Sequence, residues 1–429
     1  MRSAIRQAAM TLLGAGLLGA SLGGCVVKET RPLEKINPIQ ATAQIPQDEL
    51  LEVAIHTFEP NVPPELAKDE AALAKRRIYP DIRKAESHYL ATLLRTTLES
   101  SGQWGSVRVV PATVEFVDVA VSGRILESTG AHLALEISVS DSSGRAWIAH
   151  KRYEGPADLG CYRTDAALRA RDPFQNVYSQ IANDMLALRD RLAVQERRDV
   201  RRVTDLRFAR DLAPQAMDGY LAHDGAAGFY KVVRLPSSDD PVASRIERIR
   251  ARDAKVVDTV NGYYANFSEQ MRESYGNWRR TSYEQIEQED HLRNQARTRT
   301  VLGAAAVLAS VLVPANCGAG SYGCQRAVNT MRAAGVIGGA ASVLSGIKKY
   351  SDASVQGQAL KELSQSFESE VAPQVVDVEG RTLRLTGTAE EQYREWRQML
   401  QQLYAEENGE AVVAEAPGDA GAAPAVPHP

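Results

Sequence analysis

The stretch Val117–Glu154, "VDVAVSGRILESTGAHLALEISVSDSSGRAWIAHKRYE", alternates apolar and polar residues over much of its length. Such alternation is typical of β-strands that bury one face. It is interrupted at Thr129 and Gly130 and again at Ser142–Arg145, and both interruptions have the composition of turns. The stretch therefore predicts three antiparallel strands joined as a meander.

Three further elements precede this meander. "LLEVAIHTF" (Leu50–Phe58) is rich in strand-forming residues, and "WGSVRVVP" (Trp104–Pro111) predicts a second strand. Between them, "YPDIRKAESHYLATLLRTTLESSG" (Tyr79–Gly102) has apolar residues at helical spacing and ends in glycine. The order β-α-β followed by a meander predicts an α+β domain over residues 49–160, with the helix packed on a sheet.

The chain opens with "MRSAIRQAAMTLLGAGLLGASLGGCVV". Arg2 and Arg6 form a short basic region, and the segment from Ala8 to Gly24 is apolar and uncharged. A basic start, a short apolar stretch and small residues before a cleavage point are typical of a secretory signal. Residues 1–24 are therefore predicted to be a signal peptide rather than part of the fold.

The residues Leu22-Gly23-Gly24-Cys25 resemble the lipobox of bacterial lipoproteins. The resemblance implies cleavage before Cys25, attachment of a diacylglycerol to its sulfur, and acylation of the new amino terminus, as with palmitate. Two or more acyl chains anchor a protein stably in a membrane. Val26 stands where an aspartate would favour the inner membrane, so the resemblance implies the periplasmic face of the outer membrane. The alternative is an ordinary secretory signal with a chance cysteine.

Composition and cysteine count agree with a globular protein in an oxidising compartment. At 44% hydrophobic and 24% charged residues, the chain resembles ordinary soluble domains. Removal of residues 1–24 leaves 48 basic and 54 acidic residues, and a net charge of −6 argues against nucleic-acid binding. With Cys25 lipidated, Cys161, Cys317 and Cys324 remain, and three cysteines allow one intramolecular disulfide.

The α+β domain also resembles a lipoprotein superfamily. That superfamily includes the TolB amino-terminal domain, the curli-secretion lipoprotein and the lipoprotein activator of a penicillin-binding protein. The resemblance lies in "VAIHTF" (53–58), "LATLLRTTLESSGQWGSVRVV" (90–110), "VDVAVSGRILE" (117–127) and "ISVSDSSGRAWIAHKRYEG" (137–155). It covers about a quarter of the chain and implies a periplasmic interaction module rather than an enzyme.

The remaining segments are assigned from composition and periodicity. Their predicted structures are a flexible tether over 25–48, a helical region over 161–300 with a small β-hairpin near 217–236, an apolar helical hairpin over 301–347, a helix, β-hairpin and helix over 348–408, and a disordered Ala/Pro-rich tail over 409–429.

The apolar hairpin leaves two interpretations open. Its first arm, "VLGAAAVLASVLV" (Val301–Val313), spans ~20 Å as a helix, which is short of a ~30 Å hydrocarbon core. Small residues in the second arm (333–347) favour close helix packing inside the protein or an oligomer. The other interpretation is insertion into a membrane.

Cys317 and Cys324 bracket a Gly-rich connection between the two arms. Gly318, Gly320 and Gly323 have the spacing of a dinucleotide-binding loop, but such a loop follows a strand in a β-α-β unit. Here the connection follows a helical apolar run. It is therefore predicted to be a tight turn stapled by a disulfide between Cys317 and Cys324.

Two patterns in the helical region have structural and functional interpretations. The arginines of 189–211 are interleaved with acids, which favours a solvated helix face with intrahelical pairs over contact with headgroups or a partner. Five aromatic residues recur closely along 263–278. They favour a buried helix seam over a sugar-stacking surface.

The sequence contains no convincing catalytic or metal-binding constellation. Its seven histidines are scattered. Glu284, Glu287 and His291 share a helix face, which is better explained as an exposed polar surface than as a metal site. No cofactor is therefore predicted, and the protein is not expected to be an enzyme.

The sequence thus predicts a lipid-anchored periplasmic protein that acts as a non-catalytic interaction or scaffold component of the cell envelope. Its partners would be the membrane and an unidentified envelope protein, with homo-oligomers possible. One alternative is an oligomeric secretion-channel component that uses the 301–347 hairpin. Another is an unrecognised envelope hydrolase.

Overall fold

The structure is a computed structural model. It describes residues 33–162, 171–225, 228–312, 374–378, 381–385 and 387–407, and side chains throughout these ranges except at 292–312, 374–378, 381–384 and 407. The predictions that lie outside these residues concern the signal peptide 1–24, the lipobox with Cys25, the first part of the tether, the second arm of the apolar hairpin, Cys317, Cys324, the first helix of 348–408 and the tail 409–429.

Five strands form one mixed sheet. They are β1 (Val53–His56), β2 (Val107–Val110), β3 (Val119–Ser128), β4 (His132–Asp141) and β5 (Ala146–Pro156). The strand order is β2-β1-β3-β4-β5. β1 is parallel to β2 and β3, and β3, β4 and β5 form an antiparallel meander. The predicted α+β class is therefore confirmed.

The remaining elements are mostly helical. The helices are α1 (Glu70–Lys75), α2 (Pro80–Ser101), α3 (Gln175–Arg189), α4 (Val194–Leu212), α5 (Pro241–Leu312) and α6 (Ala389–Glu407). Short 3₁₀ turns cover Pro64–Leu66 and Leu159–Tyr162. One small antiparallel hairpin joins β6 (Leu221–Asp224) to β7 (Phe229–Val232), and another joins β8 (Gln374–Val378) to β9 (Arg381–Leu385).

Alternation along β3 sets which side chains face the core. Val119, Val121, Gly123 and Ile125 are buried, and the residues that alternate with them, Ala120, Ser122 and Arg124, are half-buried or exposed. The pairing with β4 shifts register between Ile125 and Glu127. Such an irregularity reverses the inward and outward faces of a strand, and Ser128 beyond it points into the core, where it is 2% exposed.

α2 covers one face of the sheet. Leu90, Leu94 and Leu98 lie one turn apart and are fully buried. The helix ends at Gly102, whose φ of 64° is a left-handed conformation that glycine adopts without strain. The prediction of a glycine stop at this position is confirmed.

The helical region packs on the same core as the sheet. Tyr178 and Ile181 of α3 and Tyr264, Met271 and Tyr275 of α5 are buried in one cluster with the strand residues. The predicted boundary between 49–160 and 161–300 therefore does not separate two hydrophobic cores. The physical reason is that α2 alone does not bury the whole apolar face of the sheet, which α3 and α5 complete.

The aromatic residues of α5 form the predicted buried seam. The ring of His88 on α2 stacks on Tyr264 at 5.2 Å and meets Phe267 edge-on at 5.8 Å. Burial lowers the pKa of His88 to about 4. Tyr275 and Trp278 continue the seam, with ring centroids 5.6 Å apart. Four of the five aromatic residues are therefore buried, and Tyr263 is half-buried.

α5 also covers the free edge of β2. Asn261 Oδ1 accepts a hydrogen bond from the main-chain nitrogen of Val109 at 2.9 Å. Arg108 Nε donates to Asp258 Oδ1 at 2.5 Å. Unpaired edge strands are sites of unwanted strand pairing, and a covering helix protects them.

Helix α6 returns to pack beside the first part of α5. It begins with a capping box, because Glu391 N donates to Thr388 Oγ1 at 3.2 Å and Thr388 N donates to Glu391 Oε2 at 2.8 Å. Trp396 is fully buried and donates from Nε1 to Asp253 at 3.1 Å. Among the described helices, none combines the length and apolar character needed to cross a membrane.

Candidate functional site

The predicted site residues fall outside the described part of the chain. These are Leu22, Gly23, Gly24 and Cys25 of the lipobox and the Cys317–Cys324 disulfide. Cys161 is described, and it is a buried free thiol. Burial, reinforced by Asp158 and Asp172, raises the pKa of this thiol to about 11, so the reactive thiolate is disfavoured.

The described region contains a deep cleft between the sheet and helices α4 and α5, here called the α4–α5 cleft. Its volume is about 500 Å³, within the usual range for ligand-binding clefts. Its floor is apolar and is formed by Ala54, Val110, Val114, Met217, Ile246 and Val257. Its rim is charged and includes Arg108, Arg201, Arg250, Glu52, Asp205 and Glu247.

The rim charges are largely paired with one another. Arg250 Nε lies 2.9 Å from Asp205 Oδ1, and Arg108 Nη1 lies 2.8 Å from Glu52 Oε2. Neutralised rim charges surround an apolar floor. This arrangement suits the apolar side chains of a ligand better than a strongly charged group.

Asp118 holds the walls of the cleft together. Its Oδ2 accepts from Glu52 N at 2.9 Å, and its Oδ1 accepts from Thr204 Oγ1 at 2.7 Å. Its main-chain oxygen accepts from Ser142 N at 2.9 Å. Burial raises the pKa of the Asp118 carboxyl to about 6, and the two hydrogen bonds to it oppose the rise. Both carboxyl oxygens are engaged by the protein, so Asp118 acts as a cross-link between β1, β3 and α4.

A second polar cluster lies inside the core. Glu86 is fully buried, and its Oε1 accepts from Ser128 Oγ and from Tyr275 OH, each at 2.6 Å. Arg83 Nε lies 3.8 Å from the other carboxyl oxygen. Burial raises the pKa of Glu86, and Arg83, Ser128 and Tyr275 partly offset the rise. The cluster ties α2, β3 and α5 to one another.

Arg279 of α5 forms a buried ion pair next to this cluster. It is 3% exposed, and its Nη2 lies 2.7 Å from Asp172 Oδ2. The rings of Tyr275, Phe174 and Tyr89 surround the guanidinium at 4.5, 5.7 and 5.9 Å. Burial opposes the charged form, but Asp172 and the nearby tyrosines outweigh it, and the pKa of Arg279 lies above its ordinary value.

Residues 33–50, here called the N-terminal strap, lie along the domain. Asn176 Oδ1 accepts from Ile36 N at 2.9 Å, and Asn176 Nδ2 donates to Glu34 O at 2.7 Å. Asn183 makes the same pair of contacts three residues further along the strap, at 2.9 and 3.1 Å. Seven residues are close to two helical turns, so both asparagines project from one face of α3.

The arginines of α4 hold the other end of the strap. Arg197 Nη2 lies 2.7 Å from Glu49 Oε2, and Arg201 Nη1 donates to Gln47 O at 2.6 Å. The prediction of a flexible tether over 25–48 is therefore wrong for its described part, because side chains distant in sequence satisfy its main-chain groups. The arginines of 189–211 were expected to form a solvated helix face with intrahelical pairs. This interpretation is also wrong at Arg197 and Arg201, because both side chains bind the strap instead.

No group of three or more His, Cys, Asp or Glu side chains that could hold a metal ion occurs among the described residues. The helix face that carries Glu284, Glu287 and His291 is thus not identified as a metal site.

Comparisons with protein-family models, with curated proteins and with solved structures each found no match to this chain. The lipobox and the lipoprotein-superfamily resemblance therefore rest on the sequence motifs alone.

Sequence reasoning missed most of the residues that shape these sites. The sequence offered an indication of Asp118, because an acidic residue inside the apolar run "FVDVAV" is unusual in a buried strand. Arg279 had a weaker one, since it follows directly after Trp278 in the aromatic stretch. Asn176 and Asn183 had none, because an asparagine within a helical pattern does not indicate what its side chain binds.

Proposed function

We propose that this protein is a lipid-anchored lipoprotein of the bacterial outer membrane. It works in the periplasm as a non-catalytic interaction component of the cell envelope. Its α4–α5 cleft binds an apolar segment of another envelope protein. The lipid anchor keeps the cleft close to the membrane, which raises its effective concentration toward partners in the same compartment.

The observation that carries this proposal is that exposed apolar side chains lie at the opening of the apolar α4–α5 cleft. Val233 and Leu235 follow β7 and are 61% and 49% exposed, and Leu235 lines the cleft. Large apolar side chains held in solvent beside an apolar cleft are typical of surfaces that bind other proteins. Burial of these side chains by a partner would contribute hydrophobic free energy that they lack in the isolated chain.

Substitution of Cys25 by alanine tests the anchor. The lipidated protein is expected to occur in the membrane fraction. Detergent should release it from the membrane, and high salt should not. The Cys25→Ala variant has no sulfur to acylate. It is therefore expected to disappear from the outer-membrane fraction that detergent releases. Intact-mass measurement of the native protein should show the added acyl mass. Outer-membrane fractionation that is unchanged in the variant would contradict lipid as the anchor.

Photo-crosslinking tests the cleft in the native envelope. A photoreactive residue at position 235 is expected to give one discrete adduct with an envelope protein. The same residue at Ile39, which is 55% exposed on the strap, serves as the matched control and is expected to give no such adduct. Ala251→Glu places a charge at an exposed position of the cleft lining and is expected to reduce the adduct several-fold.

The outcomes of this experiment separate the candidate functions. Equal adducts from both labelled positions, or an adduct insensitive to Ala251→Glu, would contradict binding in the cleft. An adduct with a second copy of the chain, together with a ring-like oligomer in detergent, would favour the secretion-channel alternative.

A further inference from the structure

A second concave surface lies between α2 and α5, here called the α2–α5 groove. Its volume is about 960 Å³. Five arginines line it against three acidic side chains, whereas the chain as a whole carries a net charge of −4. The arginines are Arg95, Arg171, Arg272, Arg279 and Arg280. The groove is thus a local basic surface on an acidic protein.

Two of these arginines have only neutral partners. Arg171 Nη2 donates to Ile36 O at 3.1 Å and to Asn176 Oδ1 at 2.8 Å. Arg280 Nη2 donates to Asn277 Oδ1 at 3.1 Å. The described structure gives neither guanidinium an acidic contact within 4 Å. No ion pair among the described residues therefore offsets either charge at the groove.

The other groove arginines are matched by acids. Arg95 pairs with Glu99, Arg272 with Glu269, and Arg279 with Asp172. One further acid, Glu273, lines the groove and is exposed. It reduces the basic excess but does not cancel it.

The groove also offers a hydroxyl and open space. Ser268 lines it and is 6% exposed, and its Oγ has no hydrogen-bond partner in the described structure. A hydroxyl can donate to an anionic oxygen, and a buried one left unpaired is unfavourable. Eight residues further along α5, which is about 12 Å at the helical rise, a β-carbon added at Gly276 would meet nothing within 4 Å. A ligand therefore has room to approach the surface of α5 at this point.

The strap places the groove near the lipid anchor. Pro38 of the strap lines the groove, and Arg171 binds the strap at Ile36. The first held residue of the strap, Glu34, is nine residues beyond Cys25. Nine extended residues span at most ~30 Å. If Cys25 is lipidated as proposed above, the groove lies within that reach of the membrane surface.

We propose that the α2–α5 groove binds the phosphate of an anionic phospholipid headgroup in the anchoring membrane. Guanidinium groups match phosphate oxygens in shape and charge and form charge-assisted hydrogen bonds to them. The contact orients the domain on the membrane, with the groove facing the bilayer. Because Arg171 and Arg280 are partly exposed, the interaction weakens as salt concentration rises.

Native mass spectrometry of the purified lipidated protein in neutral detergent tests this proposal. The protein is titrated separately with dioctanoyl phosphatidylglycerol, dioctanoyl phosphatidylcholine and inorganic phosphate. Binding of the anionic lipid is expected to be about tenfold tighter than that of the zwitterionic lipid, the gain from about one charge-assisted contact. Arg280→Gln leaves the strap contacts intact and is expected to remove most of that preference. The double variant Arg171→Gln, Arg280→Gln is expected to remove the rest.

Arg272→Gln combined with Glu269→Gln is the matched control, because it removes a groove arginine that is 69% exposed together with its acidic partner and leaves the net charge of the groove unchanged. It is expected to keep the preference. Equal binding of the two lipids, or a preference unchanged in the Arg171→Gln, Arg280→Gln double variant, would overturn the proposal. Inorganic phosphate that binds as tightly as the anionic lipid would assign the groove to a free anion instead. The intact mass reports the acyl chains independently, so failure of the anchor is distinguishable from failure of the groove.

Discussion

Gly130→Val is expected to lower the free energy of unfolding by about 3 kcal/mol, as overpacking of a closed contact does. Gly130 lies in the turn between β3 and β4, and a β-carbon there would overlap the main-chain oxygen of Arg279 and the main-chain nitrogen of Tyr283. The turn is also held by Tyr162 OH, which donates to Gly130 O at 2.6 Å. Helix main chain cannot move aside as a flexible side chain can, so the turn and α5 must separate.

Thermal or urea unfolding measures this effect. Gly262→Ala is the matched control, because it adds a β-carbon on the same helix where nothing lies within 4 Å. An alanine in a helix interior is expected to raise stability there by roughly 0.5–1 kcal/mol. Equal responses to the two substitutions would show that the sheet and α5 do not meet at Gly130.

Arg279→Met is expected to cost about 3–5 kcal/mol of stability, the range found when one partner of a buried ion pair is removed. The Asp172 carboxylate would remain 5% exposed without its partner. The three rings around the guanidinium would also lose their cation–π contacts. Chemical denaturation followed by circular dichroism measures the change.

Two comparison variants distinguish the effect of breaking the buried ion pair from the effect of removing any arginine. Arg272→Met removes an arginine whose ion pair is 69% and 63% exposed, and we expect a cost below about 1 kcal/mol. Asp172→Asn combined with Arg279→Met removes both charges and is expected to recover part of the loss. A double variant that is less stable than Arg279→Met alone would argue against the buried charge as the cause.

The sheet could be predicted because its signals are local. Strand alternation, the turn at Thr129 and Gly130, and the stop at Gly102 each depend on residues close in sequence. The capping box of Thr388 and Glu391 is local in the same way, because the two residues lie three positions apart.

The candidate sites could not be predicted because their walls meet across long sequence separations. Asn176 contacts Ile36 across 140 residues, and Asn261 contacts Val109 across 152. Periodicity indicates that a helix has a buried face but does not indicate which strand it covers. The hydrophobic cluster that the sheet shares with α3 and α5 was missed for this reason.

The return of α6 onto α5 has a consequence for how the chain can vary. Trp396 binds Asp253 across 143 residues, so the two helices close a long loop. The entropy of closing a flexible loop grows only with the logarithm of its length, and a doubling costs about 0.6 kcal/mol. The contacts between α5 and α6 therefore place little constraint on the number of residues between them.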